Sequence, residues 1–248
     1  MKRLLTSAAV VLGLASTPAV ALDLSSMNDA ERAAFGDEVR AYLLENPEVI
    51  MEAVQLLEQR QASAEAASDQ ALVATYAAEL FDDGYSWVGG NLEGDLTLVE
   101  FVDYRCGYCR KAHDDVAALI EQDGNIRLIV KEFPILGEDS LRSSQFAVAV
   151  KQTLGADAYK LAHDSLIALK SDTSDVSLTR LAESLGFDAA PLLAHMDSDD
   201  VNAEIVRTRE LAQNMRISGT PTFVMDDQLL RGYLPLENMQ ALAAHKRQ

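Results

Sequence analysis

The sequence predicts an α/β domain that carries a long helical insertion and follows a helical amino-terminal arm. Three observations carry that class. Residues 96–102, Leu96-Thr97-Leu98-Val99-Glu100-Phe101-Val102, form an apolar run of strand length, and Ala112, Val116, Leu119 and Ile120 recur after it at helical steps. A second buried run, Ile126-Arg127-Leu128-Ile129-Val130, is reached through that helix, so the two strands are expected to lie parallel in a βαβ unit. Residues 138–215 then show helical spacing throughout, and only beyond them do two short strand-like runs return.

Taken in order, Met1-Lys2-Arg3 is a short basic start, residues 4–14 are apolar but too few to span a bilayer, and Ala19-Val20-Ala21 fits the small-x-small cleavage rule. The expectation is a secretory signal peptide over 1–21, cut after Ala21. An uncleaved anchor is the weaker alternative, because Pro18 and small residues follow a short apolar run. Export places the chain where disulfide chemistry is possible. The net charge of −18 grows more negative once Lys2 and Arg3 are removed, and such a surface repels nucleic acid and anionic lipid. Nucleic-acid binding is thereby set aside, and solubility accounts for the charge. With 248 residues and 48% hydrophobic content the chain can build one sizeable domain plus an appendage without disulfide staples.

Residues 22–85 differ in pattern from the rest of the chain. Asn28-Asp29-Ala30-Glu31 can cap a helix in which Phe35, Val39 and Leu43 recur at four-residue steps, and Asn46-Pro47-Glu48 stops it and starts another. In the second helix Ile50, Val54 and Leu57 make a narrow seam. An Ala/Glu/Gln-rich stretch over 59–70 comes next, then Leu72, Tyr76 and Leu80. One narrow seam cannot form a core alone, so it must pack on copies of itself or on the main domain, and self-association is the preferred expectation.

Gly84, Gly89-Gly90-Asn91 and Gly94-Asp95 form a turn-rich boundary, and a new domain is expected from residue 86 to the end. In the helical insertion, Leu178, Leu181, Ala182 and Leu185, then Val201, Ile205, Thr208 and Ala212, fall at helical steps, with Asp188 as a cap between them. Thr222-Phe223-Val224-Met225 and Leu229-Leu230-Arg231-Gly232 make a hairpin joined by Asp226-Asp227-Gln228, and a helix over 236–244 closes the chain.

The only two cysteines, Cys106 and Cys109, flank Gly107-Tyr108 where the first strand meets the helix. A helix start offers free N–H groups and a partial positive charge, both of which favour a thiolate, so Cys106 is expected to be the accessible nucleophile. Cys109 shares the inward face with Ala112 and Val116 and is expected to be the shielded, resolving thiol. As a staple, so short a loop constrains the unfolded chain by only roughly 2 kcal/mol, against roughly 4 to 5 for a loop of about a hundred residues. A structural zinc site needs four ligands, and the chain has no second C-x-x-C; His113 is the nearby third candidate. Spacing, placement and compartment favour redox chemistry.

Glu100 has apolar neighbours on both sides, as in a strand covered on both faces. Burial raises the pKa of such a carboxyl, which makes it a proton acceptor for the Cys109 thiol. The alternative is an ion pair with Lys131 on the neighbouring strand.

Three motifs resemble the thioredoxin-fold thiol:disulfide oxidoreductases of the bacterial periplasm, the DsbA-like group and its ScsC branch. They are Glu100-Phe101-Val102-Asp103-Tyr104-Arg105-Cys106-Gly107-Tyr108-Cys109, Phe133-Pro134-Ile135-Leu136 and Gly219-Thr220-Pro221-Thr222-Phe223-Val224. The resemblance implies a thioredoxin fold with a helical insertion, a cis bond between Thr220 and Pro221 beside the cysteines, and a periplasmic location. It implies no cofactor, and as partners exported proteins containing cysteine and a membrane protein that resets Cys106 and Cys109. The arm is similar to that of ScsC proteins that assemble as trimers with isomerase activity, which implies a homo-oligomer. Gly107-Tyr108 between the cysteines and Thr220 before the proline resemble the isomerase DsbC rather than DsbA, which carries Pro-His. Isomerase or reductase action is therefore expected. A plain DsbA-type oxidase and a copper- or zinc-binding protein using Cys106, Cys109 and His113 are the alternatives.

Overall fold

The computed structural model describes residues 24–248; the segment expected to be a signal peptide lies outside the described residues. The chain divides into two compact units, with the division between Gln59 and Arg60.

In the first unit, α1 (Asp29–Glu45) opens on a capping box: the Asn28 side chain accepts from the Glu31 N–H at 3.0 Å, and the Glu31 carboxylate accepts from the Asn28 N–H at 2.9 Å. No residue of α1 is buried, and Phe35 and Val39 of the expected seam are exposed. The next helix, α2, runs over Glu48–Thr75, and Ile50, Val54 and Leu57 are exposed as well. Among the described residues no helix is long and apolar enough to cross a membrane.

In the second unit, α3 (Ala77–Phe81) is followed by β1 (Trp87–Gly90), β2 (Leu96–Val102), α4 (Gly107–Asp123) and β3 (Ile126–Glu132). Five helices fill the insertion: α5 (Glu138–Leu154), α6 (Ala156–Ala168), α7 (Asp175–Ser184), α8 (Ala189–Met196) and α9 (Asp199–Asn214). The hairpin β4 (Thr222–Met225) and β5 (Gln228–Arg231) precedes the closing helix α10 (Leu236–Lys246). The five strands order as β1-β3-β2-β4-β5, with β2 and β3 parallel and the other neighbours antiparallel. This is a thioredoxin-type sheet with the helical insertion placed between β3 and β4.

The two faces of the sheet have separate cores. Leu98, Val102, Leu128 and Val130 pack with Cys109, Ala112, Val116 and Leu119 of α4. Val99, Phe101 and Ile129 point the other way, toward Leu211 of α9, Met215 at its C-terminal cap, and Val73 and Leu80. Val73 and Leu80 come from the stretch over 22–85 that the sequence assigns to the arm; they are 2% and 0% exposed and fall in the second unit, which begins at Arg60. The apolar positions at the end of the arm cover the second face of the sheet.

The turn-rich stretch before β2 contains a strand that sequence periodicity misses. β1 pairs antiparallel with β3, and its glycines are required: a Cβ at Gly89 would lie 2.1 Å from the Trp87 ring, and Gly90 has φ +66. The hairpin turn is Asp226-Asp227, and Asp226 takes the left-handed conformation at φ 51.

Candidate active site

The site is built at the joint of β2 and α4. Cys106 is the N-cap residue of α4 with extended backbone, φ −74 and ψ 121, and its carbonyl accepts the first helical bond from the Arg110 N–H at 3.1 Å. Its Sγ lies 3.1 Å from the Thr220 carbonyl, and the Thr220–Pro221 bond is cis. The loop thus lies beside the cysteines, where the resemblance implies it. Accessibility is lower than expected: Cys106 is only 8% exposed, with the Thr220 carbonyl in contact with its sulfur. Cys109 is fully buried one turn further on, and both cysteines are free thiols. Burial pushes the Cys109 thiol well up, and the charges of Glu100 and Cys106 add to the shift.

Glu100 sits on the α4 side of β2, 4% exposed, and burial raises it to about 7. The ion pair with Lys131 does not form. In the parallel register Glu100 stands opposite Val130, and Lys131 stands opposite Phe101. Lys131 therefore faces the other side of the sheet, where its ammonium pairs with Asp83 and donates to the Glu79 carbonyl at 2.7 Å. Glu100 instead lines a cavity of about 240 Å³ with Trp87, Val116, His113 and His163.

A second carboxyl accompanies it. Glu132, at the end of β3 and on the same face, is 3% exposed and is raised to about 7 by burial. Its Oε1 accepts from the hydroxyls of Tyr104 and Tyr159, each at 2.6 Å. The Tyr104 oxygen also lies 3.0 Å from Nδ1 of His163, which is held neutral because burial depresses it to about 3. Sequence reasoning passed over Glu132. Yet it carries the signal that marks Glu100, a carboxyl in an apolar strand.

Asp103 was also missed, and it holds the approach to the dithiol. Its Oδ1 accepts from the Arg105 N–H at 2.8 Å, its Oδ2 from the N–H groups of Ile135 and Leu136 at 2.8 and 3.0 Å, and its carbonyl from the Cys106 N–H at 3.0 Å. A short carboxylate two residues ahead of a turn N–H is the available signal, an Asx-turn. The insertion grips the same segment. Arg105 reaches the Ser171 carbonyl at 2.8 Å, and Arg110 bridges the carbonyls of Tyr104 and Leu169 at 3.1 and 3.0 Å. Tyr108, Leu136 and Ile135 lie exposed around the cysteines, and Tyr108 stacks on Tyr233 with centroids 6.3 Å apart.

His113 is not gathered with the thiols. Its Nε2 lies 3.3 Å from Asp164 Oδ1, and its ring lies 5.4 Å from that of His163. The expected alternative of a metal held by Cys106, Cys109 and His113 finds no such cluster among the described residues.

A helix-capping cysteine facing a cis-proline loop, with a buried second cysteine in the field of a buried carboxyl, defines a thioredoxin-fold dithiol protein. The family profile of the DSBA-like thioredoxin domain matches residues 97–244, and the chain belongs to that family. A second profile, the copper resistance protein ScsC N-terminal domain, matches residues 31–64. Among solved structures, a thioredoxin-like oxidoreductase from Silicibacter pomeroyi is 36% identical, with TM-score 0.64, covering 68% of this chain and 96% of its own. BcfH of Salmonella enterica Typhimurium is 28% identical with TM-score 0.71, covering 88% of this chain and 96% of its own. The first curated relatives are Na+/H+ antiporters. The match to NhaA 3 of Salinispora tropica is 26% identical over 154 residues, and the chain spans about a quarter of that protein's length, 24%.

Proposed function

We propose that this protein is a thiol:disulfide oxidoreductase that reduces or isomerises disulfides of exported proteins in the periplasm. The observation that carries the reading is the placement of the two cysteines: Cys106 at the helix start against the Thr220 carbonyl, and Cys109 buried one turn on within the field of Glu100.

In reduction, the Cys106 thiolate attacks one sulfur of a substrate disulfide, and the other leaves as a thiolate. Glu100 takes the proton of Cys109. Cys109 then attacks Cys106 Sγ, the second substrate thiolate leaves, and the Cys106–Cys109 disulfide carries the two electrons' worth of oxidation. A membrane partner returns those electrons. In isomerisation a second substrate thiolate attacks the mixed disulfide before Cys109 does, and Cys106 is regenerated unchanged.

Three features support isomerase or reductase action over a plain oxidase. Gly107-Tyr108 places no imidazole between the cysteines, Thr220 precedes the cis proline, and Tyr108, Ile135 and Leu136 expose apolar surface to a non-native polypeptide. The exposed seam of Phe35, Val39, Ile50 and Val54 supports self-association of the first unit, which would present several dithiols to one substrate. Export is supported by Met1-Lys2-Arg3 and Ala19-Val20-Ala21.

Refolding of a scrambled-disulfide protein by the reduced chain from residue 22, beside a form lacking 22–59, tests the reading. The cut falls at Gln59 because Val73 and Leu80 belong to the catalytic unit. Reshuffling by the longer form alone is expected. Disulfide formation in a reduced substrate with no reshuffling by either form would show a plain oxidase.

A further inference from the structure

Apart from the dithiol, the fold brings His113 of α4 against His163 and Asp164 of α6, with one ligand atom of each within 4.8 Å of the others. We propose that His113, His163 and Asp164 form a binding site for a divalent transition ion of the zinc class, independent of Cys106 and Cys109.

The protonation pattern behind His163 is the first support. Tyr104 and Tyr159 each own one hydroxyl proton, and both protons go to Glu132 Oε1. The Tyr104 oxygen is therefore the acceptor in its 3.0 Å contact with His163, whose Nδ1 carries the ring proton. The lone pair of His163 is left on Nε2. Histidines that ligate metals are held this way, with the far ring nitrogen donating into a chain that ends on a carboxylate. His163 is 5% exposed and is wedged between the Tyr104 and Tyr159 rings at centroid distances of 5.4 and 5.8 Å, so its orientation is fixed before any ion arrives.

Geometry is the second. His113 Nε2 and Asp164 Oδ1 are 3.3 Å apart, close to the roughly 3.3 Å that bonds of about 2.0 Å at a tetrahedral angle impose on two ligands of one zinc ion. All three ligand atoms lie within 4.8 Å of one another, and rotation of His113 and Asp164, whose side chains are 20% and 39% exposed and give an ion its way in, draws them onto it. The 240 Å³ cavity that both histidines line leaves room for a water in the fourth position. Two imidazoles and one carboxylate select zinc, cobalt(II) or copper(II) over calcium and magnesium, which take oxygen, and over copper(I), which takes thiolates. Lys160 competes, since its ammonium holds both Asp164 oxygens at 2.6 and 2.5 Å and must yield one of them.

Titration of the full chain with zinc(II) and cobalt(II), in its oxidised Cys106–Cys109 form and as Cys106→Ser/Cys109→Ser, tests the site. Saturable binding of one ion by both forms is expected, with a cobalt spectrum free of thiolate charge transfer. His113→Ala should weaken binding by more than about tenfold, and Tyr104→Phe by about tenfold through the orientation of His163. Lys160→Met should tighten binding severalfold by freeing the carboxylate, a gain that no misfolded variant gives. Binding that disappears in Cys106→Ser/Cys109→Ser yet survives His113→Ala would assign the ion to the thiols and overturn the site. So would the lack of saturable uptake by any form, or a Lys160→Met variant that binds no better.

Discussion

On one face of the β2–β3 pair Lys131 is completely buried and meets Asp83 and the Glu79 carbonyl; on the other face Glu100 and Glu132 are just as deeply buried, and among the described residues neither makes an ion pair. The first face matches charge with charge, and its cost of burial is offset within the fold. The second leaves two carboxyls poised near 7 beside a buried thiol, two tyrosines and two histidines. Unmatched buried charge is what a proton-transfer site needs, because a group that ionises near neutrality can take and return a proton. Matched charge is what a fold needs.

The largest break in that comparison is Lys131→Met. It strands the Asp83 carboxylate beside a hydrophobic side chain and is expected to cost about 3 to 5 kcal/mol in denaturant melts. Adding Asp83→Leu should restore most of the loss, since a well-packed apolar pair replaces an ion pair at little net cost. Thiol–disulfide exchange by the folded fraction should stay unchanged, because the pair faces away from Cys109.

Glu100→Gln acts on the other face and with the opposite sign. The folded carboxyl titrates at about 7 against 4.5 for the free group, so between these values the native state holds the extra proton. Stability from this group therefore falls as pH rises from about 4.5 to 7, and above 7 the native state bears the full penalty of a buried carboxylate, about 3 kcal/mol. Glu100→Gln should be more stable than wild type at pH 8 by up to that amount and equal to it near pH 4.5. It should also slow the Cys109 step about tenfold or more, read as persistence of the mixed disulfide in rapid quench. A variant that gains stability without losing rate would leave Glu100 buried but idle.

The same comparison shows what a sequence exposes and what it hides. The strand–helix–strand core, the helical insertion, the Asp188 cap and the hairpin follow from local periodicity and turn chemistry, and the two cysteines mark the site by spacing alone. The partner of Glu100 does not. Whether residue 131 shares a face with residue 100 depends on strand register, and a shift of one residue reverses the answer. β1 is hidden because glycine has poor strand propensity, although Gly89 is needed under the Trp87 ring. The boundary at Gln59 and the pairing of His113 with α6 rest on contacts across long stretches of chain, which no local pattern encodes.

Asp103→Asn sharpens the comparison at the mouth of the site. The side chain accepts three backbone N–H groups; an amide has one oxygen and keeps at most some of them, so a loss of about 1 to 3 kcal/mol is expected. Exchange should slow as the 133–136 segment loosens around Cys106, and hydrogen exchange at Ile135 and Leu136 should rise together.

The smallest expected effect is the most specific. Tyr104→Phe removes one of the two hydroxyls that donate to Glu132 Oε1, a loss of about 1 kcal/mol at pH 6. That hydroxyl favours the charged form of Glu132, so without it the carboxyl rises further. The native variant then binds more protons than wild type around pH 7, and its stability falls more steeply with rising pH. The gap between wild type and Tyr104→Phe should therefore widen from pH 6 to pH 8.5. Tyr85→Phe, on the Lys131 side, should show a gap that does not change with pH over that range, since burial raises Tyr85 to about 12 and keeps it protonated throughout. Parallel curves for both variants would mean that Glu132 titrates elsewhere and that the two faces differ in packing alone.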